Sequence, residues 1–177
     1  MDKIKSNIIL IGFMGSGKTS VGQVLAHRLS YRFMDTDQVL EKQAGDTINH
    51  IFQVHGEEYF RDLETRLLQE YRQKLQNTIL STGGGLILRE QNSILLKEIG
   101  YVVYLKASKE TTLKRLKGDT KRPLLAGEDL DKKVDRLLTA RMPIYEKASQ
   151  KIVITDNKAI DDIVYEIMEA YMRYSRA

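Results

Sequence analysis

The octapeptide GFMGSGKT, Gly12 to Thr19, constrains this chain more than any other stretch. It matches the G-x-x-x-x-G-K-[ST] pattern, and it stands between an apolar run ending near Phe13 and an amphipathic pattern opening near Lys18. That context demands a strand, a tight turn and a helix, in that order. Gly12, Gly15 and Gly17 let successive backbone N–H groups converge on phosphate oxygens, and the following helix adds the positive end of its dipole. Ser16 and Ser20 belong to the same expected contact set. Lys18 would reach the phosphate that moves, and Thr19 would hold Mg²⁺. A nucleoside triphosphate site with Mg²⁺ is therefore expected.

A phosphate loop needs a parallel sheet behind it, and the remainder of the chain supplies the pattern for one. Asn7 to Phe13, Phe33 with its neighbours, Thr78 to Ser81, Tyr101 to Leu105 and Ile152 to Ile154 are short apolar runs, which read as fully buried strands. Helical spacings of three and four separate them: Val21, Val24, Leu25, Leu29; then Phe60, Leu63, Leu67, Tyr71; then Val134, Leu138, Arg141, Tyr145; and finally Ile160 through Tyr171. Buried strands alternating with amphipathic helices predict a parallel sheet covered on both faces, with ligands at the carboxyl ends of the strands. At 177 residues one domain over residues 1–177 is expected, so all motifs must share one scaffold.

Composition excludes several function classes. The seven-residue apolar run from Ile8 to Met14 is too short for a membrane span, and no cleavage pattern follows it. No cysteine is present, which removes disulfide and thiolate chemistry and agrees with a cytoplasmic location. His27, His50 and His55 form no metal or nucleophile constellation. A net charge of +4 suits an anionic partner without demanding nucleic acid.

The acceptor side is less explicit. In YRFMDTDQVLE, Asp35 and Asp37 stand two apart at the end of the second apolar run. In an extended segment they would share a face, one serving Mg²⁺ through water and the other an acceptor hydroxyl; capping of the next helix is the competing reading. STGGGL places Gly83, Gly84 and Gly85 after the third strand, either for close backbone approach to a ligand or for a plain turn. Arg141 shares the apolar face of its helix with Val134, Leu138 and Tyr145, and Arg61 lies three residues before Glu64, which can hold it. Two guanidinium forks suggest an anionic acceptor, and internal salt bridges are the alternative. The segment from Ala107 to Leu130 carries Lys109, Lys114, Arg115, Lys117, Lys121 and Arg122 around a Gly118-Asp119 turn. It reads as a lid over phosphates or as a solvated basic face, and it contains no aromatic side chain for stacking on single-stranded nucleic acid.

Taken together, GFMGSGKT, FMDTD, GEEYFRDLE, STGGG, RPLL and RMPIY resemble the shikimate kinase family, in this order, from about residue 7 to 155. The resemblance implies the P-loop nucleoside-monophosphate-kinase-like α/β fold: a five-stranded parallel sheet flanked by helices on both faces, with a mobile lid within about residues 109–130. It implies transfer of the ATP γ-phosphoryl to the 3-hydroxyl of shikimate, a step towards chorismate and the aromatic amino acids. By position, Asp37 resembles the aspartate that binds ring hydroxyls and serves as general base, and Asp35 the one that reaches Mg²⁺ through water. Arg61 and Arg141 resemble the pair that holds the substrate carboxylate, with Glu64 orienting Arg61, and Gly83 to Gly85 the loop against the ring. Arg122 of RPLL is similar to the lid arginine on the phosphates, and Arg115 to one that stacks on adenine. The family often has a proline after the turn following the last strand, and ITDNKAIDD, with Asp156 and Asn157, lacks it. A monomer acting on a small molecule, with no nucleic-acid or membrane partner, is the expectation that follows.

Overall fold

The computed structural model describes residues 6–117 and 129–176. Its strands are β1 (Ile8–Ile11), β2 (Arg32–Asp35), β3 (Thr78–Ser81), β4 (Tyr101–Lys106) and β5 (Lys151–Ile154). Every neighbouring pair is parallel, in the order β2-β3-β1-β4-β5. Parallel neighbours require crossovers, and α1 (Lys18–Leu29), α2 (Thr36–Ala44), α3 (Ile48–Lys74), α4 (Glu90–Ile99), α5 (Lys109–Leu116) and α6 (Leu130–Ala148) supply them, while α7 (Ile160–Arg176) follows the last strand.

The helices cover both faces. One apolar layer joins Ile9, Ile11, Leu80, Val102 and Tyr104 to side chains of α3, α4 and α6; the other joins Ile8, Leu10, Val103 and Leu105 to α1 and α7. The four residues of central β1 are completely enclosed, each contributing about 1.5–3 kcal/mol relative to an exposed side chain. The expectation of five fully buried strands is corrected at the edges. In β2 Arg32 is exposed and Phe33 to Asp35 are half-buried; in β5 only Val153 is buried, with Ile152 and Ile154 exposed. Each edge strand has a neighbour on one side only, so its flank lies open.

Two features position the site. Gly56, at φ 83° and ψ 169°, breaks α3 into two helical segments, and the second begins just before Arg61. Pro143 stands inside α6, between Arg141 and Tyr145. A proline there removes one helical hydrogen bond and costs about 3 kcal/mol in a helix interior. Half of the lid expected within residues 109–130 falls outside the described residues. Of its basic residues, Lys109 is bound to Asp131 and Asp135 of α6, at 2.8 and 3.2 Å. Arg122 lies outside the described residues.

Candidate active site

A cleft of about 410 Å³ opens at the carboxyl ends of β1, β2 and β3. The phosphate loop lines it through Gly15, Ser16, Gly17, Lys18, Thr19 and Ser20. Gly17 caps α1 at φ 94° with no side-chain cap, and no acidic residue stands in the first turn. The first N–H groups of α1 therefore lack any side-chain acceptor at the cap, the arrangement that receives an anion. Gly12 lies behind the lining: at φ 150°, a Cβ there would sit 2.6 Å from the Leu105 carbonyl oxygen and 2.8 Å from Ser16 Oγ. Lys18 Nζ donates to the Gly12 and Phe13 carbonyl oxygens at 2.8 and 2.9 Å, bracing the loop from within. Arg115 Nη1 donates to the Gly15 carbonyl oxygen at 3.0 Å, so α5 is tied to the loop's outer side.

Asp35 and Asp37 line the same cleft, but not by strand alternation. Asp35 ends β2, whereas Asp37 lies in the first turn of α2. Asp35 Oδ1 accepts from the backbone N–H groups of Asp37 and Gln38 at 3.0 and 3.4 Å, so the capping role falls to Asp35. Between them Thr36, fully buried, accepts the Gly83 N–H on its Oγ1 at 2.9 Å. That bond joins the two carboxylates to the glycine loop.

The glycine loop approaches side chains, not unusual backbone angles. A Cβ on Gly83 would collide with Asp37 Oδ1, and one on Gly85 with the Arg61 guanidinium; at Gly84 the nearest atoms are at ordinary contact distance, from 3.6 Å. Close approach thus accounts for Gly83 and Gly85 and leaves Gly84 sterically replaceable. Because each obstructing atom ends a flexible side chain, the fold can absorb an added methyl while the site cannot. Gly83→Ala is expected to lower kcat by displacing Asp37, whereas Gly85→Ala raises the acceptor KM by displacing Arg61. Steady-state kinetics on both variants checks this split, which a shared loss of melting temperature alone would refute.

Arg61 and Arg141 lie behind the glycine loop and outside the cleft lining. Arg61 Nη1 donates to Glu64 Oε2 at 2.8 Å, as the i, i+3 spacing predicts, and its Nη2 and Nε donate to Glu57 Oε1 at 2.9 and 3.3 Å. Its guanidinium also lies over the rings of Phe60 and Phe52. Burial works against the Arg61 cation, but Glu64 and Glu57 outweigh it and raise its pKa. For Glu64 the balance tips the other way: fully enclosed, it is pushed up to about 7 by burial, against the pull of Arg61. The 2.8 Å contact favours an ion pair above neutral pH that takes up a proton as pH falls. Since the native state holds this proton more tightly than the unfolded chain, Glu64's contribution to stability is full below pH 4.5 and is lost as pH rises through about 7. Glu64→Gln abolishes that titration. The melting temperature of wild type minus variant should therefore fall between about pH 5 and about pH 8, and a pH-independent difference would contradict the assignment.

Arg141 differs. It is 8% exposed, its guanidinium lies 5.9 Å from the Phe13 ring centroid, and among the described residues no carboxylate is within ion-pair distance. A buried cation so placed is a ready anion ligand. Four residues on, Tyr145 donates its hydroxyl to the Gly84 carbonyl oxygen at 2.6 Å. Burial pushes that hydroxyl up to about 12, opposed by Arg141 and, more weakly, by Arg61, so both guanidinium groups act on this point.

A sequence model described as shikimate kinase matches residues 14–172. The chain belongs to the shikimate kinase family. A shikimate kinase of Caldanaerobacter subterraneus subsp. tengcongensis is 41% identical over 167 residues, covering 94% of this chain and 96% of that protein. The structure of shikimate kinase from Acinetobacter baumannii in complex with shikimate superposes with a TM-score of 0.89 at 38% identity, covering 95% of this chain and 93% of that one. A gluconokinase from Sinorhizobium meliloti 1021, at 15% identity and a TM-score of 0.56 over 98% of this chain and 95% of that one, shares the fold alone. As a shikimate kinase family member the chain is an ATP-dependent kinase of the aromatic biosynthetic route.

Thr36, Glu57 and Tyr145 lie within FMDTD, GEEYFRDLE and RMPIY, but their contacts were not legible because each is a common residue whose partner lies far away or on a neighbouring turn. Ser81, 1% exposed, lines the cleft with a hydroxyl that has no hydrogen-bond partner among the described residues. Lys158 also lines it, held by Glu166 at 2.7 Å. Asp156 serves the fold: its carboxylate accepts from Ser108 N and Oγ at 3.0 and 2.9 Å, fastening the loop after β5 to the start of α5.

Proposed function

We propose that this chain transfers the γ-phosphoryl of ATP to the 3-hydroxyl of shikimate, giving shikimate 3-phosphate and ADP, within one kinase domain. One observation carries the reading: the glycine loop beside the phosphate loop is in contact range of Asp37 at Gly83 and of Arg61 at Gly85. An acceptor there meets a carboxylate for its hydroxyls at one end and a cation for its own carboxylate at the other.

The phosphoryl group needs positioning and charge neutralisation more than covalent help. The N–H groups of Gly15, Ser16, Gly17 and Lys18, followed by Thr19 and Ser20, cradle the phosphates, and Gly12 keeps the loop close to β4. Lys18 moves its ammonium from the loop carbonyls to the migrating group. Arg115 flanks the nucleotide, and Arg122 reaches the phosphates by the role its RPLL motif has in the family. Asp37 aims the acceptor oxygen and stands ready for its proton. Arg61 and Arg141 fix the acceptor's carboxylate, and Gly83, Gly84 and Gly85 let its ring lie against the backbone.

Mg²⁺ suits the residues present. Among the described residues no three His, Asp or Glu side chains converge, as a protein cage would require, whereas Mg²⁺ keeps several waters and takes few protein ligands. Thr19 would ligate it directly and Asp35 through water, with the Asp35 Oδ1 atom engaged in capping. Bound there, the ion neutralises charge on the phosphate oxygens. The absence of cysteine, and of any helix long and apolar enough to cross a membrane among the described residues, supports a cytoplasmic enzyme. A monomer acting on a small molecule, without nucleic acid, completes the reading.

The product tests it. Phosphorus-coupled proton NMR of a reaction with ATP, Mg²⁺ and shikimate should show coupling at the carbon-3 proton. Coupling at another carbinol proton, or none, would overturn the assignment.

A further inference from the structure

Tyr145 is a residue that no part of the phosphoryl-transfer scheme uses, yet it is bonded to the middle of the glycine loop. It is 1% exposed, its ring stacks on Tyr104 with centroids 5.1 Å apart, and its hydroxyl donates to the Gly84 carbonyl oxygen at 2.6 Å. Arg141 lies one helical turn earlier on the same buried face of α6, and a Cβ on Gly84 would meet Gly12 O and Met14 N of the phosphate loop at 3.6 and 3.7 Å. Pro143, unfavourable inside a helix, falls between the two.

A buried phenol needs a partner for its proton, and a buried guanidinium needs acceptors. In this site the Tyr145 hydroxyl gives its proton to Gly84, and its oxygen keeps lone pairs on the buried face of α6 that it shares with Arg141, one turn earlier. Arg141 has no carboxylate partner among the described residues, unlike Arg61, which has Glu57 and Glu64. The neighbours that can orient Arg141 are then the Phe13 ring, 5.9 Å from its guanidinium, and Tyr145, one turn on along the same buried face.

We propose that Tyr145 is a positioning residue: its hydroxyl, anchored on the Gly84 carbonyl, holds the Arg141 guanidinium at the angle that receives the acceptor's carboxylate and fixes Arg141 relative to the glycine loop. The inference rests on the reading of Arg141 as a carboxylate ligand. Tyr145 does for Arg141 what Glu64 does for Arg61, with a neutral group in place of a charged one, so no carboxylate among the described residues competes with the substrate for Arg141.

Tyr145→Phe removes one oxygen and keeps the stacked ring. Kinetics of wild type and variant are measured with shikimate and with its methyl ester, which lacks the carboxylate charge. The KM for shikimate should rise about tenfold, as for a lost hydrogen bond that orients a charge, while the KM for ATP stays within about twofold. The ratio of ester KM to acid KM should shrink by a similar factor, because poorly aimed Arg141 discriminates less. A second substitution, Arg141→Lys, should add little to the acid KM in the Tyr145→Phe background compared with wild type. A variant with a lowered melting temperature but an unchanged KM and an unchanged ester-to-acid ratio would make Tyr145 purely structural and overturn the proposal. A wild type that does not prefer acid over ester would instead overturn the carboxylate reading beneath it. Should Tyr145→Phe fail to fold, Tyr145→His, which keeps a ring but is too short to reach the Gly84 carbonyl oxygen, is measured the same way: a shrunken ester-to-acid ratio supports the proposal, and wild-type selectivity overturns it.

Discussion

Replacing Asp37 with asparagine should cut turnover by about 10²- to 10⁴-fold, the range for losing a positioned acid-base group, while ATP affinity changes little. The asymmetry follows from where Asp37 stands. It lines the cleft in the first turn of α2, against Gly83 of the glycine loop, and takes no part in the phosphate loop. Asparagine keeps the volume, so the fit against Gly83 survives and the loss is one of charge and proton acceptance. Pre-steady-state rates and ATP titration, run together, decide the matter. Equal losses in turnover and nucleotide affinity would remove Asp37 from the acceptor side.

The second large effect concerns Arg141→Lys, which should raise the KM for shikimate about 10- to 100-fold with ATP binding retained, as expected for losing a bidentate charged hydrogen bond. The corresponding change at Arg61 is a less clean test. Arg61 neutralises Glu64, fully enclosed, and weakening that pair exposes the fold to the cost of a buried charge, of order 3–5 kcal/mol. Arg141 supports no buried carboxylate among the described residues, so replacing its fork by a point charge spares the core and falls on binding. An unchanged shikimate KM would refute the carboxylate clamp.

How far the site was legible depended on the range of the interactions involved. GFMGSGKT was read in full because strand, turn and helix are contiguous, and Gly12 and Gly17 adopt the left-handed angles such a loop needs. Arg61 with Glu64 was legible through helical spacing alone, and Arg141 through its place on an apolar face. The D-x-D was read with the wrong local geometry: the strand ends at Asp35, whose side chain caps α2, so strand alternation does not govern the pair. Burial of β2 and β5 was overestimated because an apolar run does not disclose that its strand sits at an edge. Thr36, Glu57 and Tyr145 stayed hidden for another reason. The Thr36 bond to Gly83 spans 47 positions and the Tyr145 bond to Gly84 spans 61, distances over which no local pattern carries information. Glu57 lies one turn from Arg61, but the Gly56 break that starts its helical segment obscured the spacing.

The central claim is that an acceptor bearing both hydroxyls and a carboxylate sits between Asp37 and the two arginines. A coupled ADP-release assay with ATP, Mg²⁺ and, in parallel, shikimate, quinate, gluconate and nucleoside monophosphates measures it directly. ADP release that depends on shikimate and exceeds the rate with every other acceptor is the predicted result. Equal or faster release with gluconate or a nucleoside monophosphate, or none with shikimate, would contradict it.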